Sequence, residues 1–113
     1  MATQLTMSEC IDNCLNCHRI CLETLGHALH QPTKPMLEAH LGLLVDCEQI
    51  CQTSADFMLR SSELHQHTCK VCAEICSHCA ELCSVFHEDE QMQACETACR
   101  RCAEACQQMA LAA

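Results

Sequence analysis

The sequence predicts an all-α protein, an antiparallel up-down-up-down four-helix bundle with a Cys-lined core. Pro and Gly are scarce, two of each in 113 residues, while Ala, Leu, Glu and Gln abound, which favours helix throughout. Cysteines recur in steps of three and four, the spacing of one helix face. The helical pattern is interrupted at three short places, so four helices of similar length are joined by short loops. The length suits a single domain over residues 1–113.

The three interruptions set the predicted helix boundaries. Gln-Pro-Thr-Lys-Pro at 31–35 cannot continue a helix, and Pro35 can begin the next one. Ser61 and Ser62 offer an N-cap for the third helix. The run His-Glu-Asp-Glu at 87–90 puts acid where a helix N-terminus favours it. The predicted helices cover residues near 6–30, 36–60, 63–86 and 90–110.

The composition is unusual in its cysteine content, with 15 cysteines in the chain. Leu, Ile, Val and Phe together make up just under a fifth of the residues, and the net charge is −9. So few apolar residues with so much charge would ordinarily indicate disorder. A buried thiol behaves as a small apolar group, so we expect cysteine to supply the missing core.

Such a cysteine content indicates either a secreted disulfide scaffold or a metal site. The first ten residues contain no basic stretch followed by an apolar run, so we expect no signal peptide. No segment approaches the length of a membrane span, and 15 cysteines cannot all pair within one chain. We therefore expect a cytoplasmic protein whose free thiols bind metal.

Several function classes are disfavoured by the same sequence. The acidic balance argues against a nucleic-acid partner, which requires a basic patch, and we expect no membrane partner. There is no Ser-His-Asp set, phosphate-binding loop or pair of core carboxylates, so no enzyme is predicted.

The cysteines form a stripe along each predicted helix. Cys-x3-Cys-x2-Cys-x3-Cys occurs at 10–21 and again at 95–106, the third helix has five cysteines, and the second has only Cys47-x3-Cys51. At about 100° per residue, the four sulfurs of the first helix fall within roughly 60°. Ordinary helices place Leu and Ile on that face, so four sulfur stripes would line the bundle axis. The predicted thiolate ligands are Cys10, Cys14, Cys17, Cys21, Cys47, Cys51, Cys69, Cys72, Cys76, Cys79, Cys83, Cys95, Cys99, Cys102 and Cys106.

The choice of metal follows from the chemistry of sulfur. Soft thiolates select Cu(I), Zn(II) or the iron of Fe–S clusters. Zn(II) requires a closed tetrahedron, and we expect a continuous stripe to offer no discrete sets of four. Cu(I) accepts two or three thiolates and tolerates bridging, which predicts multiple Cu(I) ions, ~15 per chain when each thiolate bridges two ions. Such a loaded core would be nearly neutral, which limits the cost of burying the ions.

Other interpretations of the stripes stay open. An Fe–S electron-transfer protein and a metallothionein-like zinc buffer both use clustered cysteines, and a metal-free thiol-packed core is a third alternative. The triplet in residues 10–17 matches the radical-SAM cluster spacing, but it lies inside a helix and recurs, so we regard the match as coincidental.

One end of the predicted bundle gathers further soft or borderline ligands. His40 lies seven residues before the first cysteine of the second helix, and His87 lies four residues after the last cysteine of the third. Met36 is in phase with the same stripe, and Met92 lies at its margin. These four residues are candidate metal ligands, the alternatives being a polar cap for the histidines and core filling for the methionines.

The other histidines and methionines divide by phase. At the opposite end, the residues expected to face inward are Met7, Met58, His65 and Met109. His67 and His78 are expected to point outward as plain surface residues.

With these stripes, the chain resembles the copper storage proteins, and within them the cytosolic four-helix-bundle group. The resemblance covers nearly the whole chain and rests on the cysteine runs of helices one, three and four and on Asp46-Cys47-x3-Cys51. It implies storage of many Cu(I) ions inside the bundle, loading through one polar end, copper donor or acceptor partners, and a homotetramer. The chain has fewer cysteines than the cytosolic group implies, and His40 and Met92 stand where other members can have cysteine.

Overall fold

The computed structural model describes residues 5–30 and 38–111, and it confirms the predicted all-α fold. Four helices follow one another along the described chain: α1 (Met7–Leu29), α2 (Glu38–Leu59), α3 (His65–Ser84) and α4 (Glu90–Leu111). Pro35, the predicted start of the second helix, and Met36 lie outside the described residues.

Each helix packs against two neighbours around a central column of side chains. The contacting pairs are α1 with α2, α2 with α3, α3 with α4, and α4 with α1, while the backbones of the diagonal pairs do not come close within the described ranges. Cys10 near the start of α1 contacts Cys106 near the end of α4, and Cys21 contacts Cys95. The first and last helices are therefore antiparallel, as the bundle topology requires.

A capping box starts the first helix. The Thr6 hydroxyl accepts the backbone N–H of Glu9, and the Glu9 carboxylate accepts the backbone N–H of Thr6, both at 3.1 Å. This exchange satisfies two donors that a helix N-terminus otherwise leaves unpaired. Thr-x2-Glu is the usual sequence signature of this motif, so the cap could have been predicted from the sequence.

The predicted start of the third helix is wrong by two residues. Ser61 has a φ of 54°, in the left-handed region, so it belongs to the turn that follows α2. The Ser62 hydroxyl accepts the backbone N–H of Leu64 at 3.1 Å and stabilises this turn instead of capping a helix that begins at 63. The helix begins at His65, and its N-cap residue, Leu64, makes no side-chain cap hydrogen bond.

The loop between α3 and α4 confirms that acid caps the last helix. Asp89 Oδ1 accepts the backbone N–H groups of Gln91 at 2.9 Å and Met92 at 3.2 Å. The second carboxylate oxygen lies 2.9 Å from Nε2 of His27 in the last turn of α1. This hydrogen bond, together with those from the backbone, holds the pKa of Asp89 below its usual value. One carboxylate thus starts α4 and ties the loop to α1.

Replacing Asp89 by Ala should therefore destabilise the fold. The loss of a side-chain cap costs about 1–2 kcal/mol of unfolding free energy, and the His27 contact is lost with it. Urea unfolding of reduced protein at pH 7 measures the difference. Glu88→Ala is the matched control, because Glu88 is an exposed neighbour in the same loop and should change stability by no more than about 0.5 kcal/mol. Equal stability of the two variants would contradict the cap assignment.

The bundle should keep its helices when metal is removed. The core consists of thiols with Leu44, Ala55, Met58 and other small or flexible apolar groups, all of which pack without ions. Circular dichroism of fully reduced, chelator-treated protein should therefore show a helical spectrum. A coil spectrum would instead place this chain with the zinc fingers, whose folding free energy comes from the metal.

Candidate metal centre

All fifteen cysteine sulfurs lie in one column along the bundle axis, which we call the sulfur column. Every cysteine is 0% exposed, and all are free thiols. The steps of three and four along each helix place one thiol per turn on the face that meets the other three helices. The predicted convergence of four stripes on the axis is confirmed.

The stripe of α2 extends beyond its two cysteines in the same steps. Leu44 lies three residues before Cys47, Ser54 lies three after Cys51, and Met58 follows Ser54 by four. All five side chains are at most 2% exposed. Ser54 was not predicted from the sequence, although the continued spacing of three and four residues is the signal that identifies it.

At mid-height, thiols from all four helices meet around Cys47. Its Sγ lies 3.6 Å from Cys76 on α3, 3.9 Å from Cys99 on α4 and 4.0 Å from Cys17 on α1. The distance to Cys99 crosses the bundle diagonal, so the sulfurs fill the axis completely. Two overlapping sets of four thiols include Cys47, and each of them draws its sulfurs from three helices.

Sulfurs are shared between successive heights of the column. Cys76 Sγ, already in contact with Cys47, also lies 3.6 Å from Cys51. Cys51 in turn lies 3.7 Å from Cys72 and 3.8 Å from Cys102. No break separates one group of ligands from the next, so an ion bound at one height is within reach of sulfurs that serve the next.

The column reaches both ends of the bundle. At the end where α1 and α3 finish, which we call the His40 end, Cys21 Sγ lies 3.9 Å from Cys95. At the opposite end, which we call the Met58 end, Cys106 Sγ lies 3.4 Å from Cys14 and 3.8 Å from Cys10. Neighbouring sulfurs thus stay close over about three turns of α1 and of α4.

The expectation that the stripes offer no sets of four ligands is corrected by this geometry. Groups of four buried thiols lie within 4.8 Å of one another, because each height draws one or two sulfurs from several helices. Three groups with no cysteine in common are Cys14/Cys72/Cys102/Cys106, Cys17/Cys47/Cys51/Cys76 and Cys21/Cys79/Cys95/Cys99. A tetrahedron with metal–sulfur bonds of about 2.3 Å has edges of about 3.8 Å, which these spacings match. Other sets overlap, since Cys17 and Cys51 each serve in two.

Thiol-to-thiol hydrogen bonds shift the pKa values of different cysteines in opposite directions. Hydrogen bonds from Cys10, Cys102 and Cys106 lower the pKa of Cys14 to about 6. Cys51 shows the opposite direction, because its hydrogen bond with Cys102 and its burial both raise its pKa. The thiol protons leave when metal ions take their place.

His40 is brought to the column as predicted from its phase. It is 2% exposed, its Nε2 lies 3.6 Å from Cys83 Sγ, and its ring stacks on Phe86 with centroids 5.3 Å apart. Burial lowers the pKa of this imidazole, so the ring is neutral at pH 7 and keeps a nitrogen lone pair. Cys83 and His40 together offer one thiolate and one imidazole at the end of the column.

The other three accessory candidates have different positions. Met92 is 2% exposed and belongs to the core, whereas Met36 lies outside the described residues. The phase argument for His87 is wrong, because α3 ends at Ser84 and the helical spacing does not extend to 87. His87 is exposed in the turn before α4 and is not brought to the sulfurs.

At the Met58 end, the three methionines predicted to face inward pack in or against the core. Met58 is 2% and Met109 is 8% exposed, and Met7 is half-buried against the core. His65 is half-buried, with Nδ1 2.8 Å from the carbonyl oxygen of Ser62. His67 and His78, predicted to face outward, are both exposed.

No helix of the described ranges is long and apolar enough to cross a membrane.

Comparison with known proteins points to one family. The copper storage protein family model matches residues 3–111. No curated protein sequence matches the chain.

Solved structures agree with that match in fold and sequence. A crystal structure from Nitrosospira multiformis is 42% identical, with a TM-score of 0.84, and the alignment covers 92% of this chain and 94% of that one. The Cu(I)-bound copper storage protein BsCsp3 is 32% identical, with a TM-score of 0.87 and coverage of 93% and 99%. A cytosolic copper storage protein from Streptomyces lividans with five coppers is 27% identical, with a TM-score of 0.88 and coverage of 95% and 93%. The chain belongs to the copper storage protein family.

Proposed function

We propose that this protein binds and stores multiple Cu(I) ions through the thiolates of the sulfur column. The observation that carries the proposal is the continuity of the column, in which 12 of the 15 cysteine sulfurs, drawn from all four helices, lie 3.4–4.0 Å from another cysteine sulfur. Cu(I) is the soft ion that accepts two or three thiolates and shares them with its neighbours, so a gapless series of sulfurs suits it. Relatives solved with five coppers and with ten copper equivalents support this use of the fold.

Charge balance supports a high capacity. When each Cu(I) takes two thiolates and each thiolate bridges two ions, 15 cysteines hold about 15 ions. One monovalent cation per thiolate then leaves the loaded column neutral, which removes most of the cost of burying so many charges. Tetrahedral Zn(II) would leave two uncompensated negative charges at each set of four thiolates.

A zinc buffer or an Fe–S protein fits the same geometry less well. The three sets of four with no cysteine in common would hold only three tetrahedral Zn(II) ions and leave Cys10, Cys69 and Cys83 outside those sets. An Fe–S cluster places irons and inorganic sulfides between its cysteines, and thiols in mutual contact at 3.4–4.0 Å leave no such space. Both alternatives use a part of the column where Cu(I) uses all of it.

The storage role is proposed to be non-catalytic and cytoplasmic, with copper ions and copper donor or acceptor proteins as partners. The Streptomyces lividans relative is described as cytosolic, and the free thiols of this chain suit a reducing compartment. We also propose the homotetramer that the family resemblance implies. Val71 is 44% exposed, and Ile75 and Leu82 are half-buried on the outer side of α3, so apolar surface remains for a second bundle.

Anaerobic titration of the fully reduced protein with Cu(I) tests the storage proposal. We expect saturation near 15 ions per chain, because every thiolate can bridge. Zn(II) titration of the same preparation is the matched control and should saturate near three ions, the number of sets of four that share no cysteine. Elemental analysis after desalting measures both. Saturation at one to three Cu(I) would contradict storage and would indicate a chaperone or a discrete site.

Copper is proposed to enter and leave at the His40 end. Every thiol is fully buried, so ions move by ligand exchange along the column to an end where weaker ligands replace thiolate. His40 and Cys83 form the last pair of ligands there, and exposed Glu88 and Glu90 add negative charge beside them. Neutral imidazole binds Cu(I) less tightly than thiolate and so passes the ion on more readily.

Replacing His40 by Ala should slow copper exchange several-fold and leave the capacity within about one ion of the wild type. Stopped-flow transfer of Cu(I) to and from a chromophoric chelator measures the rates. His65→Ala is the matched control at the opposite end, and His87→Ala tests the exposed histidine that the sequence pattern favoured; neither should change the rates. A rate lowered by His65→Ala and unchanged by His40→Ala would place the entrance at the Met58 end.

A further inference from the structure

The sulfur column does not end with its last cysteine at the Met58 end. Cys69, the first cysteine of α3, has its Sγ 3.7 Å from the thioether sulfur of Met58 and 3.3 Å from the hydroxyl oxygen of Ser54. Cys69 and Ser54 are 0% exposed, and Met58 is 2% exposed. A thiol, a thioether and a hydroxyl thus converge in the interior at this end of the bundle.

The spacing along α2 places Met58 at a position that is a cysteine in the repeats of α1 and α4. In α1 and α4, the repeat Cys-x3-Cys-x2-Cys-x3-Cys puts its fourth thiol at Cys21 and Cys106. The same spacing in α2, which starts at Cys47, puts Met58 at the fourth position. This helix therefore presents a thioether toward the axis where the other two present a thiolate.

The chemistry of these groups selects Cu(I). Thiolate and thioether are both soft ligands, whereas a thioether contributes little to Zn(II) binding. One Cu(I) beside the Cys69 thiolate and the uncharged Met58 sulfur gives a neutral site, so burial costs little. The unbranched methionine side chain can shift its sulfur by rotation about three bonds, which allows the 3.7 Å contact to open around an ion.

We propose that Cys69 and Met58 form a mixed thiolate–thioether Cu(I) site that closes the column at the end opposite His40. The proposal rests on the proposed storage function and adds a ligand outside the cysteine set. Since a thioether binds Cu(I) less tightly than a second thiolate, this site fills after the all-thiolate positions. Once Cys69 is a thiolate it can only accept, so the Ser54 hydroxyl 3.3 Å away would donate to it and weaken that ligand further.

Selenomethionine labelling tests the site directly. The test protein is the full chain with Met36→Leu and Met92→Leu, which removes the methionines predicted as ligands at the other end. Selenium-edge X-ray absorption of the Cu(I)-saturated protein should show a copper neighbour at bonding distance. Adding Met58→Leu, which nearly conserves volume, should abolish that neighbour and lower the capacity by about one ion. Adding Met109→Leu instead is the matched control, because Met109 is also buried at this end, and it should preserve the signal.

The outcomes separate this site from the storage function. A parent protein that binds about 15 Cu(I) but shows no copper neighbour at selenium would overturn the Met58 site and leave storage intact. A signal that survives Met58→Leu and disappears with Met109→Leu would assign the ligand to α4 and overturn the proposal. Saturation of the wild type at one to three ions would contradict storage itself. When the Met58→Leu protein does not fold, the parent with Met7→Leu and Met109→Leu added decides the case: a copper neighbour at selenium that persists supports Met58, and its loss overturns the proposal.

Discussion

Contact between thiols along the axis is the constraint on which the bundle depends. A cysteine side chain is short, so helices that meet through sulfur must approach closely, and their neighbouring positions must be small. Ala98, Ala103 and Ala105 flank the stripe of α4 and are at most 9% exposed, and Ala80 is buried on α3. Bulky residues are displaced to the outside, where Leu22 is 43% exposed. Small side chains therefore lie inside and bulky apolar side chains lie outside because sulfur fills the core.

The same sulfurs must be stable in two states of the protein, the metal-free state and the copper-loaded state, and the physical reason differs between them. As thiols they are weakly polar and pack as an apolar core, which avoids the cost of buried charge. As thiolates they require a cation each, and Cu(I) supplies one positive charge per sulfur without demanding an isolated tetrahedron. The overlapping groups of four around Cys17 and Cys51 show why neighbouring ions must share ligands. The capacity of the bundle is therefore set by bridging and exceeds the number of separate sites.

The two ends of the column differ in the groups that replace thiolate. At one end, the neutral imidazole of His40 lies beside Cys83 and stacks on Phe86, a residue of the loop that Asp89 ties to α1. At the other end, a thioether and a hydroxyl surround Cys69 in the interior. The imidazole lies next to an acidic loop, which favours exchange with the outside, whereas the thioether is buried in the interior. The column thus has a direction although its middle is nearly uniform.

The sequence by itself determined whatever depends on spacing within one helix. Steps of three and four predicted the thiol stripes and the inward position of His40, because side-chain direction repeats locally along a helix. The spacing did not predict where the helices end, because helical phase alone does not locate a terminus. Ser62 lies in a turn, and His87 lies beyond the last turn of α3. Only the tertiary structure decided which sulfurs meet across helices, such as Cys47 and Cys99 on the diagonal. The relative height of two helices depends on the loops and on packing between helices, so the spacing of residues within one helix does not predict it.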